Sequence, residues 1–291
     1  MPGVRSLSPA EITLLLALAE PTSFTAAAGE LGVTQSAVSK MVLSLEERFG
    51  LELLSRGRRG CEPSAALRRI LPSLRRARHA IEEVGNELQR CGGRLLGRIR
   101  IAGFRSATSI LVPPAISAFL DRHPDLQVSI ATVREINGGV VEHVLQGRAD
   151  FGITTSKPPR GLHSCRLGSG PYLAVRRKEQ SKSDPSMERL VLWNENCSDR
   201  VPAILEFYRW RPKRTMRVDN DTTLLSMIEH GGGFTIMPEL ATVPLSTSLE
   251  THPLPEFRRD VWLCGQPLIW ASIVGRAFRR AIVLGSHRLL G

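Results

Sequence analysis

The chain has 291 residues, 42% of them hydrophobic, and a formal net charge of +11 at pH 7. This length favours about two domains, and the apolar content is sufficient for real cores. The positive charge suits a polyanionic partner. However, acids slightly outnumber bases in residues 1–64, and the arginine surplus begins in residues 65–100. Individual cations are therefore better indicators of such a partner than the bulk charge.

Several classes of protein are disfavoured. The five cysteines are odd in number and scattered, without a C-x-x-C pair, which argues against a disulfide scaffold and a zinc site. No signal peptide is apparent, and no apolar run approaches the roughly 20 residues of a membrane span. No nucleophile–base constellation, metal set or Gly-rich phosphate loop is apparent, so neither an enzyme nor a cofactor is predicted. We expect a cytoplasmic protein.

The N-terminal segment begins with two predicted helices. Ser8, Pro9 and Glu11 have the spacing of an N-cap, a first-turn proline and a capping-box acid ahead of an apolar helix. Ser23 can cap a second helix, which is expected to end near Gly32 because glycine readily adopts positive φ.

A third helix follows after so short a turn that the pair is typical of a helix-turn-helix. Thr34 can cap this helix, apolar residues recur along it at helical spacing, and Gly50 ends it. Its exposed first turns carry polar side chains that can contact base edges and phosphates in the major groove of double-stranded DNA. The residues predicted to do so are Thr34, Gln35, Ser36, Ser39 and Lys40.

Residues 53–62 read as two extended arms around a Gly- and Arg-rich tip, which together would form a wing lying on DNA phosphates. The predicted phosphate contacts are Arg56, Arg58 and Arg59. Taken without these flanks, residues 23–49 are equally compatible with a compact helical hairpin inside a larger domain.

At this point a family resemblance becomes specific. The chain reads Phe24-Thr25-x-Ala27-Ala28-x-x-Leu31-x-Val33-x-Gln35-Ser36-x-x-Ser39, then Leu45-Glu46-x-x-Phe49-Gly50-x-x-Leu53-Leu54-x-Arg56. This pattern resembles the winged helix-turn-helix of the LysR-type transcriptional regulators. The family often has Pro at the position of Ser36 and Phe at that of Leu54. Its usual Leu-Thr-x-x-Gly after the wing is replaced here by residues 63–67, within which Ser64 can still cap a helix.

A long helix is predicted from Ser64, with apolar residues alternating at steps of three and four. These are Leu67, Ile70, Leu74, Ala77, Ile81, Val84, Leu88 and Cys91. Such a seam is typical of a coiled coil, and a helix of about 40 Å is too long for one small head to cover. Pro72 is expected to bend or loosen it. The resemblance implies a linker helix that dimerises two heads, in a homodimer or a homotetramer.

From residue 98 onward, strands and helices alternate, which predicts parallel sheets. Strands are expected at 99–102, 126–133, 149–153, 171–176, 189–193, 215–219, 234–237 and 261–264, and helices at 110–122, 137–146, 200–210, 221–230 and 270–284. Residues 160–170 contain three glycines and are expected to form a crossover. Two similar α/β blocks joined by two crossovers would enclose a cleft.

We therefore predict an α/β multidomain chain. Its parts are a winged helix-turn-helix at 1–64, a linker helix at 65–91, a hinge at 92–97 and an effector domain at 98–291, with subdomain I at about 98–163 and 264–291 and subdomain II at about 168–260. Motifs such as Gly147-Arg148-x-Asp150-x-Gly152-Ile153 and Gly231-x-Gly233-x-x-x-Met237-Pro238 resemble the LysR-type effector domain, which is similar to periplasmic solute-binding proteins.

A small molecule is expected at the carboxyl ends of the strands, where helix N-termini supply free N–H groups. The loop 103–109 adds Arg105 and several hydroxyls, which suits a carboxylate or another oxyanion. The resemblance implies Ser106 and Thr108 as effector contacts, although Ser and Thr at helix starts more often serve only as caps. The predicted effector residues are Phe104, Arg105, Ser106, Thr108, Thr132, Asn194, Asn196, Asp221 and Thr222.

Two alternatives remain open at the level of the sequence. Cys197 lies where peroxide-sensing members of the family carry a reactive cysteine, which would make the protein a thiol-based redox sensor. A different class would be a solute-binding α/β protein whose N-terminal helices serve only assembly. RNA polymerase also stays open as a further partner of a regulator.

Overall fold

The computed structural model describes residues 6–19, 24–57, 60–89, 97–135, 138–180, 184–193 and 199–290. The chain divides into two compact units, one comprising residues 1–97 with 145–148 and the other residues 98–144 with 149–291. Within the described ranges, no helix is long and apolar enough to cross a membrane.

The first unit opens with three helices: α1 (Pro9–Ala17), α2 (Phe24–Leu31) and α3 (Gln35–Phe49). The predicted capping box is present, because Ser8 accepts from the Glu11 N–H while the Glu11 carboxylate accepts from the Ser8 N–H. Gly50 ends α3 with φ of 66°. Ser23, the predicted cap of α2, lies outside the described residues.

The predicted wing is a two-stranded antiparallel sheet of β1 (Leu54–Gly57) and β2 (Gly60–Pro63). Glu46 of α3 fixes the start of this hairpin, because its Oε1 accepts from the N–H groups of Leu53 and Leu54 at 2.8 and 3.3 Å. At the exit, Ser64 accepts from the Leu67 N–H and donates to the Glu52 carbonyl. The predicted cap of the next helix is therefore confirmed.

Helix α4 (Ala65–Gln89) continues through Pro72. Its predicted seam divides into two parts. Leu67 and Leu74 are buried in the core of the first unit with α1 and α3, so they are not available to another copy. Ile81 and Val84 remain 44% and 61% exposed. The expectation that the whole seam pairs between copies was therefore wrong for Leu67 and Leu74, because the head itself covers them.

The second unit is built on a six-stranded sheet in the order β4-β3-β5-β10-β6-β9. Its strands are β3 (Gly97–Gly103), β4 (Leu126–Thr132), β5 (Phe151–Thr154), β6 (His163–Arg177), β9 (Thr235–Pro238) and β10 (Leu249–Gly265). Strands β7 (Arg189–Trp193) and β8 (Arg214–Val218) form a parallel pair. Leu190 of β7 bridges to Phe234, next to β9.

The crossovers differ from the prediction. Residues 163–170 form the first half of one long strand, β6, which pairs antiparallel with β10 from Leu249↔Arg177 to Gly265↔His163. Residues 249–260 were not predicted as a strand because Pro253, Pro255 and several charged residues break the usual alternation. Pairing with β6 overrides that local composition.

The helices of the second unit are α5 (Val112–Arg122), α6 (Gly139–Leu145), α7 (Val201–Phe207), α8 (Asp221–Glu229), α9 (Pro267–Ala271) and α10 (Ile273–Leu290), with a π-helical turn at Ala107–Leu111. The single C-terminal helix predicted at 270–284 is thus two helices. Extended Ser272 separates them and accepts from the Gly275 N–H. Gly275 lies so close to the Ile269 carbonyl that a Cβ there would collide with it.

The anchoring of the wing by Glu46 can be tested with a neighbouring control. Glu46→Ala removes the acceptor of two partly buried N–H groups, which should cost about 1–3 kcal/mol of local stability. Amide hydrogen exchange at Leu53 and Leu54 should then become roughly tenfold to a hundredfold faster. The adjacent Glu47 is exposed, so Glu47→Ala should leave these amides unchanged. Equal effects of the two variants would contradict the anchoring role.

Candidate DNA-binding and effector sites

The start of α3 presents the polar face predicted for DNA. Thr34 is extended and accepts from the Ala37 N–H at 3.2 Å, and its hydroxyl lies 3.0 Å from that of Ser36. Gln35, Ser39 and Lys40 are exposed beside them. Thr34 therefore has a structural role as the helix cap, while the other four side chains are free of the core.

The opposite face of α3 holds the helix in place. Val38 and Leu45 are fully buried and pack into the core of the first unit. Near the C-terminal end of α3, Arg48 forms a 2.8 Å ion pair with Glu11, which also belongs to the capping box of α1. Hydrogen bonding to the Ser8 backbone lowers the pKa of Glu11, so this carboxylate is charged at neutral pH.

The wing arginines are only partly placed. Arg56 lies in β1, opposite Cys61, but its side chain is not among those described. Arg58 and Arg59 lie outside the described residues. The hairpin that would carry all three to the phosphates is present.

In the second unit, the chain becomes helical directly after Phe104. Most of the predicted loop 103–109 is therefore helical and leads into the π-helical turn. Phe104 is only 2% exposed, and the Arg259 guanidinium of β10 lies 4.6 Å from its ring centroid. Phe104 thus packs against the crossover strand, away from the polar residues that follow it.

Arg105 crosses the second unit to meet Asp221, the first residue of α8, in an ion pair. The same guanidinium donates to the Ala241 carbonyl and to the Ser109 hydroxyl, both at 3.3 Å. The fold therefore brings into direct contact two predicted effector residues that are 116 positions apart in the sequence.

The two partners of this ion pair differ in exposure. The Asp221 side chain is 2% exposed and that of Arg105 is 30% exposed. Burial raises the pKa of the Asp221 carboxyl, and the Arg105 charge and the N–H groups of Asp221 and Thr222 act in the opposite direction. The carboxylate therefore depends on Arg105 and on the start of α8 to stay charged.

Hydroxyl groups lie along the same segment. The Thr108 hydroxyl is 2.8 Å from that of Thr132 on β4 and donates to the Arg105 carbonyl at 2.9 Å. Ser106 is 1% exposed, and its Oγ has no hydrogen-bond partner among the described residues. Thr222 is exposed, and Asn220 provides the cap of α8 by accepting from the Thr223 N–H. Asn194 and Asn196 lie outside the described residues.

The thiols of Cys165 and Cys264 lie inside the second unit and have raised pKa values. Burial raises the pKa of the Cys264 thiol to about 12 and also raises that of Cys165, so both thiols stay protonated at neutral pH. Cys197, the predicted redox candidate, lies outside the described residues. Within the described ranges, no group of three or more His, Cys, Asp or Glu side chains could hold a metal ion.

Two partners of Arg105 escaped prediction. Ser109 lies one turn further along the same helical segment. The Ala241 acceptor is a backbone carbonyl in the short helix Glu239–Thr242. Every residue has a backbone carbonyl, so the residue type does not indicate which carbonyl Arg105 contacts, and the fold is needed to identify it.

Comparisons with known proteins agree with this architecture. The family model described as "LysR substrate binding domain" matches residues 92–283, and the one described as "Bacterial regulatory helix-turn-helix protein, lysR family" matches residues 10–66. A probable HTH-type transcriptional regulator, LrrA of Synechococcus elongatus, is 29% identical over 256 residues, which cover 84% of this chain and 85% of that protein.

Solved structures show the same fold. ArgP from Mycobacterium tuberculosis superposes with a TM-score of 0.73 at 21% identity, over 97% of this chain and 98% of that one. Full-length CbnR in complex with its target DNA gives a TM-score of 0.65 at 19% identity, over 97% and 99% of the two chains. Because family models match both the helix-turn-helix and the larger α/β unit, the chain belongs to the LysR family and is a DNA-binding transcriptional regulator with an effector-binding domain.

Proposed function

We propose that the first turns of α3 read bases in the major groove while the wing binds flanking phosphates. The observation that carries this proposal is the exposed polar face of α3, with Gln35, Ser36, Ser39 and Lys40 opposite a fully buried apolar face. CbnR, which shares the fold, was crystallised with its target DNA. In this arrangement Lys40 and the wing arginines at 56, 58 and 59 supply positive charge, and Gln35 supplies a bidentate amide suited to adenine.

Gln35→Ala should therefore weaken specific binding by about 1–3 kcal/mol and affect random DNA far less. The specific duplex would be obtained by selection from a random pool with the wild-type protein, and both affinities would be measured at one salt concentration. Ser44 is exposed further along α3, so Ser44→Ala is the matched control. Equal losses on specific and random DNA would rule out base reading by Gln35.

Assembly through the second half of α4 forms another part of the proposal. Ile81 and Val84 are exposed at coiled-coil spacing. An apolar groove of about 510 Å³ opens near the beginning of the same helix, lined in part by Leu51, Ile70 and Ala77. The groove and the exposed seam both include residues of α4, so a second copy of α4 is the occupant that would cover them together. A homodimer built this way, or a homotetramer of two such dimers, presents several heads to one operator.

Ile81→Asp combined with Val84→Asp should dissociate the linker pair, because two carboxylates would be buried in an apolar seam. Both positions are exposed in the single chain, so the variant should still fold. Sedimentation equilibrium would report the mass, and the selected duplex would report DNA affinity. Arg76 is exposed outside the seam, so Arg76→Asp is the control. Wild-type mass in the double variant would refute pairing through these residues.

The effector is proposed to be a small oxyanion, such as a carboxylate, bound where Arg105 and Asp221 meet. Arg105 is the more exposed half of that pair, and the hydroxyls of Ser106, Thr108 and Thr132 belong to the same region. A guanidinium beside several hydroxyls suits bidentate recognition of a carboxylate. Binding would change DNA affinity by favouring one of two arrangements of the effector domain.

A screen of small carboxylates against the full-length protein tests this site. A ligand should raise the melting temperature and change the affinity for the selected duplex. Arg105→Ala should weaken the affinity for the carboxylate at least roughly tenfold, as expected for loss of a hydrogen bond to a charged group. Arg166 forms an exposed ion pair with Asp260, so Arg166→Ala is the control. Equal binding of a carboxylate by wild type and Arg105→Ala would remove Arg105 from the site.

A further inference from the structure

We propose that the effector is a zwitterion of the amino-acid type, whose carboxylate is held by Arg105 and whose ammonium group is held by Asp221. This inference rests on the proposed effector site and narrows its ligand class. The observation behind it is that the cation predicted to anchor an anion already has a buried anionic partner in this chain.

The first step concerns the net charge at the site. Arg105 and Asp221 form one ion pair, so the pair contributes no net positive charge to attract a simple anion. The remaining described partners of Arg105, the Ala241 carbonyl and the Ser109 hydroxyl, are neutral. A monoanion that takes the position of Asp221 at the guanidinium therefore competes directly with that carboxylate.

The second step concerns what such competition leaves behind. Asp221 is almost fully buried, and removing one partner of a buried ion pair leaves an uncompensated charge, which is strongly unfavourable. Burial raises the pKa of Asp221, and the charge of Arg105 is the largest effect that lowers it. Loss of Arg105 would therefore leave the effect of burial largely unopposed. A ligand that brings its own cation avoids this penalty because its ammonium group replaces the guanidinium next to Asp221.

The third step concerns the remaining hydrogen-bonding groups. A carboxylate accepts several hydrogen bonds, and the hydroxyls of Thr108 and Thr132 lie 2.8 Å apart in this region. The Ser106 Oγ adds a buried donor without a partner among the described residues. Donors thus accompany Arg105, whereas Asp221 is an acceptor that a positively charged group would satisfy. A molecule with both charges uses both halves of the site.

The test compares ligands that differ by one charge. Isothermal titration of the full-length protein would use the proteinogenic amino acids, their 2-hydroxy acids, which lack the ammonium group, and their amides, which lack the carboxylate. For the amino acid that binds, both counterparts should be at least roughly tenfold weaker, as expected for loss of a hydrogen bond between charged groups. In the Asp221→Asn variant this preference should disappear, so that the amino acid and its hydroxy acid bind with about equal affinity.

Asp260 is the matched control, because it also pairs with an arginine but at an exposed position, so Asp260→Asn should keep the wild-type preference. Thermal unfolding would confirm that both variants are folded. Equal binding of a hydroxy acid and its amino acid by the wild type would overturn the inference. Binding of carboxylates without any amino acid would overturn it while leaving the proposed effector site intact, and binding of nothing from the three series would also overturn it.

Discussion

A buried carboxylate needs a counter-charge, and this requirement governs the effector-binding unit. Asp221 begins α8 with almost no exposed surface, and Arg105 reaches it from the segment that follows β3. The two residues belong to different predicted subdomains, so one ion pair joins segments that several strands and helices separate along the chain. An ion pair that is open to water adds little to stability. Removing one partner of a buried ion pair, in contrast, is costly.

The DNA-binding unit depends on a simpler separation. Helix α3 buries Val38 and Leu45 and leaves its polar residues exposed, so the packing that positions the helix does not compete with DNA contacts. Glu46 lies between these faces, and its carboxylate accepts hydrogen bonds from the N–H groups that begin the wing. This explains in physical terms why a glutamate at that point suits the fold: helix and wing are held in a fixed relation by one side chain.

Local signals allowed much of the fold to be predicted. Ser8, Glu11, Thr34 and Ser64 all cap helices as their side chains suggested, and apolar spacing located α3 and α4. Long-range effects defeated the same rules. Strand β10 carries prolines and charges that forbid it locally, yet pairing with β6 imposes it. Leu74 matched a coiled-coil seam, but its own head covers it. At the effector site, Arg105 and Asp221 could each be selected by residue type, whereas their contact could not.

Neighbouring residues of the effector segment face different parts of the second unit. Phe104 lies under Arg259 of the crossover strand β10, and Arg105 pairs with α8. A ligand that took the place of Asp221, as proposed, would leave the Phe104 contact intact, because that ring is buried and apolar. The segment would stay attached to the crossover while its connection to α8 is exchanged for one through the ligand. Differential contacts of this kind are what a ligand needs to shift a protein between two arrangements.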